Sequence, residues 1–252
     1  MKRNFLYQTI LFLFGILLLN ACTSVHKLGR VPPQSAIAIP DSLYPAASLT
    51  IATHNDWTKK NYPQRIKVFR KEPLQMHDIV LLGNSITQLG HDWGARLHNP
   101  AVKNRGIAGD VTDGVLARLG EICYVQPTAV FIEIGINDLF NSSLTPERTA
   151  KNIVAIINNI HSKNPGTKIF FQTIFPTSHD SLVQRITQTN KLVLAACKPN
   201  KWFSIIDTHA LFADKNDLMI KEYSKDGVHP NEKGYEIWVK CLQKYFDTSG
   251  IL

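Results

Sequence analysis

The chain has 252 residues, 44% of them hydrophobic and 19% charged, and its 28 basic and 20 acidic side chains give a formal charge of +8. That much apolar surface can offset the entropy of ordering one substantial core, which excludes a disordered, collagen-like or disulfide-stapled chain. The basic balance alone fits nucleic-acid binding, an anionic substrate or a lysine-rich solvated surface equally well.

The first elements in chain order read as export signals. Lys2 and Arg3 make a basic start, and Ile10 to Leu19 form an uncharged apolar run that ends at Asn20, Ala21 and Cys22. A run of about ten to fifteen residues is too short to span a bilayer comfortably and suits the core of a secretory signal. Leu19-Asn20-Ala21-Cys22 resembles a bacterial lipobox, which implies cleavage before Cys22, lipidation of its sulfur, and an exported protein anchored to a lipid bilayer of the cell envelope. Removing residues 1–21 lowers the formal charge from +8 to +6, because Lys2 and Arg3 leave with the signal.

Residues 22–50 hold Pro32, Pro33, Pro40 and Pro45 but only Lys27, Arg30 and Asp41 as charged side chains. Fully extended, the 28 residues after Cys22 reach at most about 90 Å, at ~3.1 Å per residue in polyproline geometry. The segment reads as a tether, with residues 51–252 as one domain; Ile37, Ile39, Leu43, Leu49 and Ile51 are the side chains that would dock if it packed instead. Lys59, Lys60, Arg65, Lys67, Arg70 and Lys71 cluster on a predicted helix before Pro73 and read as a solvated face. No nucleic-acid motif accompanies them. Cys123, Cys197 and Cys241 lack metal-like spacing and read as small buried apolar residues, so no metal site is expected.

Short apolar runs follow at Ile79–Leu82, Ala101–Asn104, Ala129–Ile134, Lys168–Ile174 and Phe203–Ile206. They are rich in Ile, Val and Phe and mostly do not alternate, the pattern of strands covered on both faces in a parallel sheet. Between them Ala150, Ile153, Val154, Ile157 and Ile160 recur at helical spacing, as do Leu182, Ile186, Val193 and Ala196. Tyr235, Trp238, Val239, Leu242, Tyr245 and Phe246 make a stripe on a C-terminal helix. The alternation predicts a three-layer α/β/α sandwich on a five-stranded parallel sheet.

Ligands in such folds bind beyond the carboxyl ends of the strands. The strands run into Gly83-Asn84-Ser85, Arg105-Gly106-Ile107-Ala108-Gly109-Asp110 and Gly135-Ile136-Asn137-Asp138, and all three loops are expected on one rim. A serine hydroxyl needs a base to take its proton and a third group to orient that base. Ser85 stands where a helix would begin, and Asp226-Gly227-Val228-His229-Pro230 supplies a carboxylate three residues before a histidine. Acyl transfer also needs donors for the oxyanion. The backbone N–H groups of Ser85 and Gly109 and the side-chain amide of Asn137 are candidates. His54, His77, His91, His98, His161, His179 and His209 lack this context and read as surface or packing residues.

Gly83-Asn84-Ser85-Ile86-Thr87, Gly109, Gly135-Ile136-Asn137-Asp138 and Asp226-Gly227-Val228-His229-Pro230 resemble, in order, the four sequence blocks of SGNH (GDSL-type) hydrolases. The resemblance spans about residues 78–246. It implies a flavodoxin-like SGNH fold with Ser85 as nucleophile, His229 as general base, Asp226 as its orienting acid, Ser85, Gly109 and Asn137 around the oxyanion, and no cofactor. Asn84 stands where the family usually has Asp, and Asp138 reads as a structural loop residue. The rival α/β-hydrolase elbow needs G-x-S-x-G, and Thr87 occupies the last glycine position.

The wider stretch from Gly83 to Asp138, with His91-Asp92-Trp93 and Asn104-Arg105-Gly106, looks like the carbohydrate O-acetylesterase branch, including sialic-acid O-acetylesterases. On that resemblance Arg105 and Trp93 are candidate substrate-binding residues, Arg105 through a substrate carboxylate, with a structural role as its equal alternative. A lysophospholipase, thioesterase or arylesterase of the same family is the enzymatic alternative, and a catalytically silent carbohydrate-binding lipoprotein is the non-enzymatic one. A flavodoxin-like nucleotide binder would leave Asp226 and His229 unexplained and lacks a glycine-rich phosphate fingerprint.

Overall fold

The strands expected from the apolar runs form one sheet. The computed structural model describes residues 37–249 and residue 251, so the predicted signal and the Cys22 lipidation site lie outside the described residues. Strands β1 (Ile79–Gly83), β2 (Val102–Gly106), β3 (Ala129–Glu133), β4 (Lys168–Gln172) and β5 (Phe203–Ile206) pair in parallel in the order β2-β1-β3-β4-β5. Every residue of β1 and β3 is buried, as the non-alternating pattern requires. Gly83 lies beside both Gly106 and Glu133, so β1, β2 and β3 stop at one level. Three adjacent strands therefore deliver three loops to one edge.

Ten helices connect and cover the sheet among the described residues: α1 (Asp56–Lys71), α2 (Ser85–Gln88), α3 (Trp93–Arg96), α4 (Thr112–Ala117), α5 (Leu119–Tyr124), α6 (Ile136–Phe140), α7 (Pro146–Lys163), α8 (Asp180–Ala196), α9 (Thr208–Phe212) and α10 (Glu232–Ser249). Local chemistry fixes several starts. Asn55 Oδ1 accepts from Thr58 N–H at 2.8 Å to cap α1, and Thr145 caps α7 with Pro146 in its first turn. The apolar stripes face inward: Ile153, Ile157 and Ile160 on α7 and Tyr235, Trp238, Leu242 and Phe246 on α10 are buried. Phe131 of β3 stacks on Phe170 at 4.4 Å and on Phe246 of α10 at 5.1 Å, which pins that helix to the centre of the sheet. Cys123, Cys197 and Cys241 are free thiols, half-buried against the core rather than fully inside it.

The predicted tether is corrected over its second half. From Ile37 the chain packs on the domain: Ile37, Ile39 and Leu43 are half-buried, Tyr44 and Ile51 are buried, and Leu49 alone of the five candidates stays exposed. Polar partners supply what the proline count concealed. Arg70 pairs with Asp41 and donates to the Pro45 carbonyl, and the Tyr44 hydroxyl donates to Glu121 Oε1 at 3.0 Å. The basic helix is likewise only partly a solvated face, since Arg65 Nε donates to the Gly106 carbonyl.

Glu121 is the buried end of this docking. It also accepts from the Leu74 N–H at 2.9 Å and from Arg105 Nε and Nη2, both at 2.9 Å. Glu121→Ala would strand the Arg105 charge, so the unfolding free energy in denaturant titrations is expected to fall by about 3–5 kcal/mol. Tyr44→Phe removes one hydrogen bond and is expected to cost only about 1 kcal/mol.

Candidate active site

The β1–α2 junction places Ser85. Asn84 Oδ1 accepts the Ile86 N–H at 2.8 Å, a side-chain turn that starts α2 immediately after the strand and sets the Ser85 hydroxyl on the rim. Gly83 precedes it because there is no room for a side chain: a Cβ there would lie 2.4 Å from the Glu133 carbonyl oxygen.

The acid and base come from the loop before α10. Asp226 Oδ1 accepts from the N–H groups of Val228 (2.9 Å) and His229 (2.8 Å), and Oδ2 lies 2.7 Å from His229 Nδ1. Ser224 closes the loop by accepting from the Gly227 N–H at 2.9 Å and donating to the His229 carbonyl at 2.7 Å. Gly227 has φ +78°, and its carbonyl accepts from the Ser178 N–H at 2.8 Å, tying the loop to the segment after β4. Partial burial alone would raise the Asp226 carboxyl. The bonds from the His229 ring and from the two backbone N–H groups outweigh it and hold Asp226 well below the usual carboxylate range. Because a carboxylate only accepts, the proton of neutral His229 sits on Nδ1, which leaves the Nε2 lone pair for Ser85. His229 Nε2 is 2.8 Å from Ser85 Oγ.

The three expected oxyanion donors follow β2, β1 and β3, which are neighbours in that order. Gly109 adopts φ +79°, and a Cβ there would lie 2.2 Å from Thr58 Oγ1 of α1. Asn137 Nδ2 donates to the Asp110 carbonyl at 2.9 Å, which fixes the amide and leaves its second hydrogen for a ligand. Asp138 is fully buried and accepts from the Thr112 hydroxyl (2.5 Å) and N–H (3.0 Å); burial nonetheless pushes its carboxyl up to about 6. It anchors the start of α4.

Arg105 takes the structural one of its two expected roles, and the expectation for Trp93 is corrected. Arg105 is spent on Glu121 and the Glu72 carbonyl, and Trp93 is buried, donating from Nε1 to the Thr87 carbonyl at 2.8 Å and packing edge-on against Trp238. Both border a cavity of about 870 Å³ that runs along β2 and the 88–100 segment and holds none of Ser85, Asp226 and His229. Desolvation explains the change of role. A guanidinium beside the sheet finds its counter-charge inside the fold, not in a substrate.

Other residues near the rim carried no motif. His54 Nε2 bonds to Asp110 Oδ1 at 2.9 Å behind the oxyanion loop, across 56 residues of sequence. Trp57, one helical turn before Asn61, whose amide donates to the Ala108 carbonyl, is 58% exposed. Phe140, one turn beyond Asn137, is also exposed and meets the His179 ring edge-on at 5.3 Å. Among the described residues no group of three or more His, Cys, Asp or Glu side chains could hold a metal ion.

A family model described as GDSL-like lipase/acylhydrolase matches residues 81–237, more than half of the chain. The chain belongs to the GDSL-like lipase/acylhydrolase family. This membership implies ester hydrolysis. The chain is similar in fold to a GDSL-like lipase from Bacteroides thetaiotaomicron (TM-score 0.65, 21% identity, 75% of this chain and 98% of that one). It is also similar to a lipase/acylhydrolase from Enterococcus faecalis (TM-score 0.53, 26% identity, 68% and 95%) and to a carbohydrate esterase family 3 structure from Talaromyces cellulolyticus (TM-score 0.55, 18% identity, 70% and 100%). No curated protein sequence matches the chain.

Gly109→Ala is expected to cost about 1–3 kcal/mol of stability through overpacking against Thr58. Adding Thr58→Ala should recover part of that loss in denaturant titrations. Equal loss in the single and double variants would show that the Thr58 contact is not what requires glycine.

Proposed function

We propose that this GDSL-family protein is a serine esterase that removes O-acetyl groups from carbohydrates. The observation that carries the catalytic half is the unbroken chain Ser85 Oγ–His229 Nε2 (2.8 Å) and His229 Nδ1–Asp226 Oδ2 (2.7 Å), set beside three donors from adjacent strand ends. His229 takes the Ser85 proton as Oγ attacks the ester carbonyl carbon. The oxyanion is held by the Ser85 and Gly109 N–H groups and the free hydrogen of the Asn137 amide. When the tetrahedral intermediate collapses, the alcohol leaves with the proton from His229. Water, deprotonated by His229, then attacks the acyl-Ser85 carbonyl; as the C–Oγ bond breaks, His229 returns that proton to Ser85 Oγ and the acid is released.

Three features support a small acyl group on a large polar alcohol. No long apolar insertion stands over the rim among the described residues. Trp57 and Phe140, near the loops that carry Gly109 and Asn137, present exposed aromatic surface of the kind that packs against the C–H faces of sugar rings. A neighbour in fold is a carbohydrate esterase.

Ser85→Ala is expected to lose at least about three orders of magnitude of turnover together with labelling by a fluorophosphonate, and Asn137→Ala about two to three orders. An active Ser85→Ala protein would exclude the serine mechanism. Acetate release from O-acetylated glycans, compared with hydrolysis of p-nitrophenyl esters of rising chain length, tests the substrate. Preference for octanoyl or longer chains would replace the acetylesterase reading with a lipase or thioesterase one.

A further inference from the structure

Beneath the nucleophile turn lies an acid that the hydrolytic scheme leaves idle. Glu133 ends β3 and is fully buried, an expensive place for a carboxylate. Side chains alternate across a strand. Phe131 stacks on Phe246 of α10, so Glu133, two residues on, points to the same side of the sheet. Its pairing partner is Gly83, the residue just before Asn84 and Ser85. Among the described residues neither oxygen of the Glu133 carboxyl meets a hydrogen-bond partner, and neither does Asn84 Nδ2. These orphaned atoms face one another: the Asn84 amide is the one polar group that favours the ionised form of Glu133, yet it stands outside hydrogen-bonding geometry. Asn84 meanwhile shapes the turn through its other atom, Oδ1, which holds the Ile86 N–H.

The surrounding elements offer Glu133 no free cation. From α10, the Tyr235 hydroxyl feels the Glu133 charge but donates to the Ile86 carbonyl at 2.7 Å, the far end of the same turn. From β4, Gln172 Oε1 is taken by Trp238 Nε1 at 2.6 Å. From the junction of α4 and α5, Arg118 donates to the Gly83 carbonyl at 2.9 Å, but its charge is matched by Asp110. Burial therefore dominates and pushes the Glu133 carboxyl up to about 8.

We infer that Glu133 is a positioning residue for Ser85: as a neutral acid it fills the space under the Asn84–Ile86 turn, and once ionised it disrupts that turn and with it the nucleophile. The cause is local. A buried carboxylate without a cation must draw a donor, and the unpartnered Asn84 amide is the nearest. Turning that amide toward Glu133 withdraws Oδ1 from Ile86 and moves the residue that precedes Ser85.

The inference rests on Ser85 being the nucleophile, and its test separates the two. Turnover of p-nitrophenyl acetate and the rate of fluorophosphonate labelling are followed against pH in the wild type, Glu133→Gln and Glu133→Ala. Both wild-type rates should fall on the alkaline side with a midpoint of about pH 8, close to tenfold per pH unit beyond it. Glu133→Gln keeps the shape without an ionisable proton; it should restore activity that Glu133→Ala loses and hold its plateau through that range. The same alkaline fall in Glu133→Gln, or a wild-type plateau without a fall, overturns the inference. If Ser85→Ala retains turnover, the nucleophile reading fails instead.

Stability gives a readout independent of turnover. The folded chain binds the Glu133 proton more tightly than the unfolded chain, whose glutamate titrates near 4.5. Relative to Glu133→Gln, wild-type unfolding free energy should therefore decline as pH rises from about 4.5 to about 8 and level off above. If Glu133→Gln does not fold, the infrared stretch of a protonated carboxyl in the wild type decides: present at neutral pH and lost on passing about pH 8, it supports the inference, and absent at neutral pH it overturns it.

Discussion

The rim is organised around one buried carboxylate, Asp110. His54 meets Oδ1 and Arg118 Nε meets Oδ2, both at 2.9 Å, while the Asp110 carbonyl accepts from the Asn137 amide. The same Arg118 donates to the carbonyls of Gly83 and Arg105. One charged cluster thus touches the ends of β1 and β2, the segment before α1 and the loop after β3. Buried ion pairs add little net stability, because desolvation offsets most of the attraction, but a cluster with every partner in place disfavours any arrangement that leaves one charge bare. Here it fixes the relative heights of the three loops that carry Ser85, Gly109 and Asn137. Deeper inside, Arg105 and Glu121 do the same for the docked N-terminal segment.

Much of this site was legible in the sequence, for a physical reason. Each element of the candidate site is local: Asn84 and Ser85 are adjacent, and Asp226 and His229 sit three residues apart within a loop that satisfies its own polar groups through Ser224 and Gly227. Short-range hydrogen bonds leave a short-range pattern of residue types. The sheet was legible for a related reason, since strands buried on both faces must be continuously apolar.

What escaped depended on partners far along the chain. His54 looked like any other histidine because Asp110 lies 56 positions away. Arg105 and Trp93 stood in a suggestive stretch, yet their side chains turn to Glu121 and to the Thr87 carbonyl. The prolines of residues 32–45 suggested an extended tether, but Pro45 is itself buried, its carbonyl accepts from Arg70, and the neighbouring Tyr44 ring lies under that guanidinium at 5.1 Å. Proline excludes helix and interior strand, and it places no bar on an irregular segment that docks through side chains.

The members of the proposed triad differ in exposure, and the proposed chemistry gives the difference a direction. Ser85 is 8% exposed at the foot of the rim, while the side chains of His229 and Asp226 are 32% and 57% exposed. The alcohol of the ester must receive its proton from His229, so it departs on the open side. The acyl group must lie where its oxygen meets the donors of Ser85, Gly109 and Asn137, on the enclosed side, where Thr58 already packs against Gly109 and the Asp110 cluster fills the space behind. In the proposed reaction the acyl side is therefore the enclosed one and the alcohol side the open one. The asymmetry follows from where the loops originate, since the donors grow from strands locked in register whereas the base rides on a loop held by its own hydrogen bonds and by Ser178.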